Sequence, residues 1–283
     1  MSVLIIAEPL ADHTPHQVCN AVSAALRAEN ITQVPITLGG SGTAYCFQGV
    51  EITLPTVTPS GKLTEATYVF DEANAQAYID VSDDICDPHT ADTYGTGVLI
   101  ADAISRGAER IVLATAGIHT RDGGTGILIA LGAQPLNASG LPVQPGQRGL
   151  SAITDIDTAQ LNIPAACAEW VLLIDAAPQP SSPNFAAFCG LPEDQGIAVG
   201  ITWLSKLMHT NTDHVHVLPA LPTLLNSLGV PELLQTHTKV ILATAPNSPT
   251  LSLLQHLGAS NIETITIGAG ESMEEKIQAH FST

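Results

Sequence analysis

One stretch constrains the fold of this chain more than any other: Thr93 to Ala133, TYGTGVLIADAISRGAERIVLATAGIHTRDGGTGILIALGA. It reads as helix, strand, glycine-dense loop and second helix. Thr93 stands where an N-cap belongs, before a helix running from Tyr94 to about Ser105 and ended by Gly107. Arg110 to Thr115 is a short apolar run with β-branched residues, the pattern of a strand buried on both faces. Ala116 to Gly126 then holds four glycines together with His119, Thr120, Arg121 and Asp122, and leads into an apolar helix from Ile127 to Leu131. Such a loop offers backbone N–H groups beside the positive end of a helix dipole, where phosphates and carboxylates are held. A tight strand-to-helix turn without a ligand is the alternative.

The same alternation runs through most of the chain. Val3 to Ala7 reads as a buried strand, Thr14-Pro15 opens an amphipathic helix to about Glu29, and Ile31 to Ile36 completes a β-α-β unit. A second glycine turn, Leu38 to Thr43, lies just past that strand, where open α/β sheets bind ligands. Val50 to Val57 and Thr64 to Asp71, parted by Pro59-Ser60-Gly61, predict a β-hairpin, and Gln76 to Val81 another short extended segment. Pro135 to Arg148 reads as irregular surface chain, and Pro178 to Pro192, with four prolines, as a loop. Val171 to Ile174, Val215 to Leu218, Val240 to Ala243 and Ile262 to Ile267 are strand candidates. Gln195 to Met208, Leu221 to Leu228, Pro231 to Leu234, Leu251 to Leu257 and Ser272 to Phe281 are helix candidates. The fold class is α/β.

Charge narrows the functional classes. Among 283 residues there are 27 acids but only nine Lys and Arg, for a net charge of −18, and the nine do not cluster. A nucleic-acid or anionic-membrane surface needs grouped positive charge, so neither is expected. No apolar run approaches the roughly 20 residues that span a bilayer. The N-terminal apolar run is too short for a signal core and lacks a basic flank. Five cysteines without a C-x-x-C pair suggest reduced thiols. A cytoplasmic protein is expected.

Individual side chains leave alternatives open. Asp122 is either a ligand or base, or an N-cap for the following helix. Arg121 either meets an anion or is a solvated loop residue. His119 reads as exposed more readily than as a base. His214 and His216 share one strand face but lack a third metal ligand at a sensible spacing. Asp83 and Asp84 read as solvated loop acids.

Several motifs in one order carry a family likeness. Thr93-Tyr94-Gly95-Thr96-Gly97, Arg106-Gly107-Ala108, the strand from Arg110, Asp122-Gly123-Gly124 and Leu131-Gly132-Ala133 together resemble the bacterial two-domain glycerate kinases. Asp87-Pro88, Gly39-Gly40-Ser41-Gly42-Thr43 and Ser272-Met273-Glu274-Glu275 agree with flanking family motifs. The resemblance implies a Rossmann-like domain of residues 1–75 and 226–283 with a second α/β domain, 76–225, inserted in it. It implies ATP- and Mg²⁺-dependent phosphoryl transfer to glycerate or a similar small hydroxy acid. The expected partners are thus a hydroxy acid and a nucleotide, with no nucleic acid and no membrane, and a homodimer as a possible assembly. Carried over residue by residue, Arg121 and Asp122 are the catalytic candidates. Gly39, Gly40, Gly42, Thr43, Thr93, Thr96, Gly117, Thr120, Gly123 and Gly124 are the substrate- and phosphate-binding candidates, and no residue is assigned to metal.

The chain departs from the family pattern where a lysine and several carboxylates are expected. It has Ala7-Glu8-Pro9-Leu10 after the first strand, Leu38 and Ser41 around the first glycine pair, Val98 after TYGTG, and Thr244-Ala245-Pro246-Asn247 after the late strand. A shortened, motif-eroded member is therefore expected. The second functional reading is a weak or inactive relative that binds a small anion, a nucleotide or a protein partner.

Overall fold

The computed structural model describes residues 2–10, 12–26, 28, 30–83, 86–175, 182–192, 195–211 and 213–282. Asp84 and part of the proline-rich stretch lie outside the described residues. The chain opens with β1 (Ser2–Ala7), α1 (Pro15–Ala25) and β2 (Asn30–Pro35). Next come the hairpin β3 (Val50–Val57) and β4 (Leu63–Asp71), then β5 (Gln76–Asp80), α2 (Tyr94–Ser105), β6 (Arg110–Ala114) and α3 (Thr125–Ala130). A short ribbon, β7 (Gln134–Leu136) and β8 (Asp155–Asp157), brackets α4 (Gln147–Leu150). It is followed by α5 (Ile163–Cys167), β9 (Glu169–Ile174), α6 (Pro183–Cys189), α7 (Ala198–Lys206) and β10 (Val215–Pro219). The chain ends with α8 (Ala220–Ser227), α9 (Val230–Thr236), β11 (Lys239–Thr244), α10 (Thr250–His256), β12 (Ile262–Thr266) and α11 (Met273–Phe281).

These elements form two compact units, 1–38 with 221–283 and 39–220. In the first, a wholly parallel sheet has the order β12-β11-β1-β2. Apolar residues of β1 and β11, among them Val3, Ile5, Ile241 and Ala243, pack with Val18 and Val22 of α1 and Ile277 of α11. The start of α1 is fixed by a reciprocal pair: Gln17 N–H donates to the Thr14 hydroxyl (3.3 Å) and Thr14 N–H to the Gln17 side chain (2.8 Å). The helix stops at Ala25, short of Glu29, because Leu26 already has extended backbone leading toward β2.

The second unit has a six-stranded sheet of order β10-β9-β6-β5-β4-β3. Its four neighbours from β10 to β5 are parallel, and the hairpin β4–β3 adds antiparallel at one edge. Residues 39–75, expected with the first unit, thus belong to the second. The cause is lateral pairing: Val69 and Phe70 of β4 lie opposite Tyr78 and Ala77 of β5. Tyr68 and Phe70 enter the same core as Leu99, Ile111 and Trp170. The alternation of apolar residues in the hairpin was readable, but its partner strand was not.

Part of the proline-rich stretch is helical rather than looped. In α6, Pro183 takes the first turn, where its missing N–H costs nothing, and Phe185, Ala186 and Cys189 are buried. Gly190, in left-handed backbone, ends it.

The helix pair α2 and α3 depends on close backbone approach. A Cβ built on Gly126 would lie 2.6 Å from the Thr93 nitrogen and 2.7 Å from its carbonyl carbon. Gly126→Ala is therefore expected to cost about 1–3 kcal/mol by overpacking, read as a lowered thermal midpoint.

Candidate functional site

In the inserted unit, the glycine-dense loop Ala116 to Gly126 leaves the carboxyl end of β6 and enters α3. The turn Gly39 to Thr43 lies against it. Ala116 N–H donates to the Gly39 carbonyl (3.0 Å), and a Cβ on Gly40 would stand 2.5 Å from the Ala116 oxygen. The two glycine loops singled out in the sequence therefore meet at the carboxyl edge of one sheet, the edge at which parallel α/β sheets hold ligands.

The N–H groups of these loops already meet carboxylates of the chain. Asp122 is fully buried and accepts from Thr93 N–H (2.9 Å), the Thr93 hydroxyl (2.8 Å), Gly124 N–H (2.9 Å) and Gly126 N–H (2.9 Å). The Thr93 hydroxyl also accepts from Ile127 N–H (3.1 Å), so Thr93 serves the start of α3 and makes no side-chain cap on α2. Asp80, at the end of β5, accepts from Gly42 N–H (2.7 Å) and Ala44 N–H (2.9 Å). Burial pushes the Asp80 carboxyl up to about 6, against the opposing pull of those backbone donors. Asp175, after β9, accepts from Gly117 N–H (2.7 Å). Asp83 accepts from His119 N–H (3.2 Å) and faces its Nδ1 (3.0 Å).

The N-cap residue of α3 is Gly124 rather than Asp122, whose carboxylate instead braces the loop from within by accepting from Gly124 and Gly126 N–H. The remaining candidates divide by accessibility. Gly123, Gly124, Thr93 and Thr96 are buried: the Gly123 carbonyl accepts from Gly200 N–H (2.9 Å), and the Thr96 hydroxyl accepts from Ser82 N–H (3.2 Å). The Thr43 hydroxyl, also buried, donates to the Gly40 carbonyl (2.5 Å). Gly117 is exposed. Thr120 is buried and lines a cavity of about 20 Å³ with Thr115, Ile118 and Asp175. Arg121 is half-buried, and its Nε, shut off from solvent, has no hydrogen-bond partner among the described residues.

The Rossmann-like unit has its own carboxyl edge. β2 lies on one side of β1 and β11 on the other, so the winding reverses between β1 and β11. At that reversal stands Glu8, buried, whose carboxylate accepts from the hydroxyls of Thr244 (2.7 Å), Ser248 (2.5 Å) and Thr250. The sequence reading passed over Glu8, Asp80 and Asp175 as site residues. One signal could have found them: each ends or directly follows an apolar run that forms a parallel strand.

The paired histidines take separate partners, His214 stacking on His209 at 3.6 Å and His216 meeting Glu169 at 3.2 Å. Among the described residues no three His, Cys, Asp or Glu side chains come together to hold a metal, and no helix is long and apolar enough to cross a membrane. A broad concavity of about 820 Å³ lies at the opposite, amino-terminal edge of the inserted unit's sheet, lined in part by Gln76, Arg110, Cys167 and Glu169.

Comparison with known proteins bears on this geometry. The family model of the glycerate kinase family matches residues 11–179. A glycerate kinase of Halalkalibacterium halodurans is 31% identical over 146 residues, covering 47% of this chain and 38% of that relative. One from Bacillus cereus is 30% identical over 175 residues, covering 53% of this chain and 46% of that relative. The chain thus matches less than half the length of these curated relatives. The crystal structure of a Salmonella typhimurium LT2 chain assigned as glycerate kinase 2 superposes with a TM-score of 0.78, over 99% of this chain and 96% of that one. At 15% identity this likeness carries the fold alone.

Proposed function

The chain belongs to the glycerate kinase family, and from that premise we propose that it transfers a phosphoryl group from ATP, with Mg²⁺, to glycerate or a similar small hydroxy acid. The observation that supports this reading best is the Arg121 Nε, a buried cationic donor without a partner among the described residues beside the glycine loop. Phosphoryl transfer needs positioning and charge neutralisation more than covalent chemistry, and an arginine with an unused donor suits both. Arg121 contacts the transferring phosphate. Gly117 and Thr120 supply N–H and O–H donors to an anionic oxygen, and Gly39, Gly40, Gly42 and Thr43 shape the wall against Ala116. Asp122, Thr93, Thr96, Gly123 and Gly124 position the loop rather than touch the reacting atoms. Mg²⁺ in such sites needs only one or two protein carboxylates besides phosphate oxygens and water. Asp83, exposed beside His119, is the carboxylate that would hold it. When bound, the ion supplies neutralisation of phosphate charge.

A second reading, a binding module with little or no turnover, draws on a specific observation as well: the carboxylates of Asp122 and Glu8 are both buried among internal donors. A coupled ADP-release assay with D-glycerate and Mg-ATP separates the two. Turnover well above background, lowered about 100-fold in kcat/KM by Arg121→Ala, supports the kinase. A thermal shift with ATP but no turnover supports the binding module, and neither turnover nor shift with ATP or D-glycerate overturns both.

A further inference from the structure

Four aspartates of the inserted unit occupy backbone N–H groups that a glycine loop would otherwise present to a ligand. They are not equivalent. Asp122 is sealed in the protein and Asp80 is partly buried, whereas Asp83 and Asp175 are exposed. Asp175 is placed on the most open part of the loop. Gly117 is exposed, with a φ of +77°, and nothing lies within 4 Å of the point where its Cβ would be. Beside this pair lies the cavity of about 20 Å³, lined by Thr115, Ile118, Thr120, Ile174, Asp175 and Ile197. That volume is about one water molecule. Thr120 is only 3% exposed, and its hydroxyl has no hydrogen-bond partner among the described residues. The Thr120 Oγ1 is not one of the solvent-sealed atoms without a partner, so it keeps some contact with solvent and is open to a group that enters the cavity.

We infer that Asp175 is an internal competitor for an anion site: its carboxylate holds the Gly117 N–H until a phosphate or carboxylate group displaces it and takes that N–H together with the Thr120 hydroxyl. The assignment rests on the kinase reading only for which anion is the natural one. With Asp175 in place the cavity is too small for a phosphate group, so binding requires the carboxylate to swing outward. Its exposure makes that movement open to it, whereas Asp122 has no comparable freedom. Each anion that binds must therefore overcome one charge-assisted hydrogen bond and the repulsion of a neighbouring carboxylate.

The test uses the full chain labelled with ¹⁵N, without nucleotide. The Gly117 amide is followed by NMR as inorganic phosphate, and separately D-glycerate, is added at constant ionic strength. The inference expects Asp175→Ala to tighten phosphate or glycerate binding at least about tenfold over the wild type, since a hydrogen bond to a charged group is released. The anion that binds more tightly identifies the group the site takes. Asp175→Asn should fall between the two, because its side-chain oxygen still accepts from Gly117 while its charge is gone. Thr120→Val in the Asp175→Ala background should weaken binding again by several-fold. Equal gains for Asn and Ala would reduce the effect to charge alone and overturn the inference, as would no gain in Ala. Should Asp175→Ala fail to fold, Asp175→Ser is read by the same criteria. Turnover in the ADP assay without this order of affinities leaves the kinase reading standing and removes the competitor. The expected order without turnover does the reverse.

Discussion

Asp122→Ala is expected to lower the thermal midpoint of the inserted unit by on the order of 10 °C, from a loss of roughly 3–5 kcal/mol. The carboxylate is fully buried and takes three backbone N–H groups and one hydroxyl from three places in the chain: Thr93, Gly124 and Gly126. Alanine leaves those donors without acceptors in a space sealed from solvent, and each orphaned donor costs about 1–3 kcal/mol. Some of the loss is recovered if water enters the vacated volume, which keeps the total below the simple sum. The donors come from the starts of both α2 and α3, so the damage spreads to the packing of the two helices. Circular dichroism melts of wild type and variant measure it, and a change under 2 °C would remove the bracing role of this carboxylate. One corollary concerns enzyme assays. Lost turnover in this variant reports on chemistry only after correction for the folded fraction.

The second large effect is expected in the other unit. Glu8→Ala removes the single acceptor shared by Thr244, Ser248 and Thr250, and should cost roughly 2–4 kcal/mol. The figure is lower than for Asp122 because hydroxyls can rotate toward other acceptors, whereas backbone N–H groups cannot. Glu8→Gln retains an acceptor and should lose less. The locality of the effect is the sharper check. Hydrogen exchange of the β1 and β11 amides should quicken by roughly 100-fold, with β5 and β6 little changed, because the network ties the carboxyl ends of β1 and β11 to the loop after β11 and the start of α10, all within the first unit. Uniform acceleration through both units would count against a local clamp.

The parts of this architecture legible in the sequence were those governed by neighbours along the chain. Helix α2 begins after Thr93, and the glycine loop between β6 and α3 follows from apolar runs and punctuation a few residues apart. Partners distant in sequence were not legible. Periodicity marks β3 and β4 as strands but is silent on which sheet they join, and so the unit boundary fell at 75 instead of 38. In α6 the four prolines of the stretch outweighed the apolar spacing of Phe185, Ala186 and Cys189, although a first-turn proline favours a helix. The anion loops teach most. Glycine-dense turns do gather anions here, but those in view are Asp80, Asp83, Asp122 and Asp175, side chains whose distance in sequence from Gly42, His119, Thr93 and Gly117 hid the pairing.

The two sheet orders also set the sequence of events during synthesis. Every adjacent pair in the inserted unit's main sheet joins strands that are consecutive among its members, from β3 to β10, so that sheet can assemble as the ribosome delivers it. β1 is different. Its neighbour β11 pairs Val3 with Lys239, and at 5–20 residues per second the second partner arrives on the order of 10–50 s after the first. Until then one edge of β1, with Val3, Ile5 and Ala7 beside it, has no strand to pair with. The nascent chain therefore carries an unfinished, apolar sheet edge through most of its own translation, the interval in which a chaperone has most to protect.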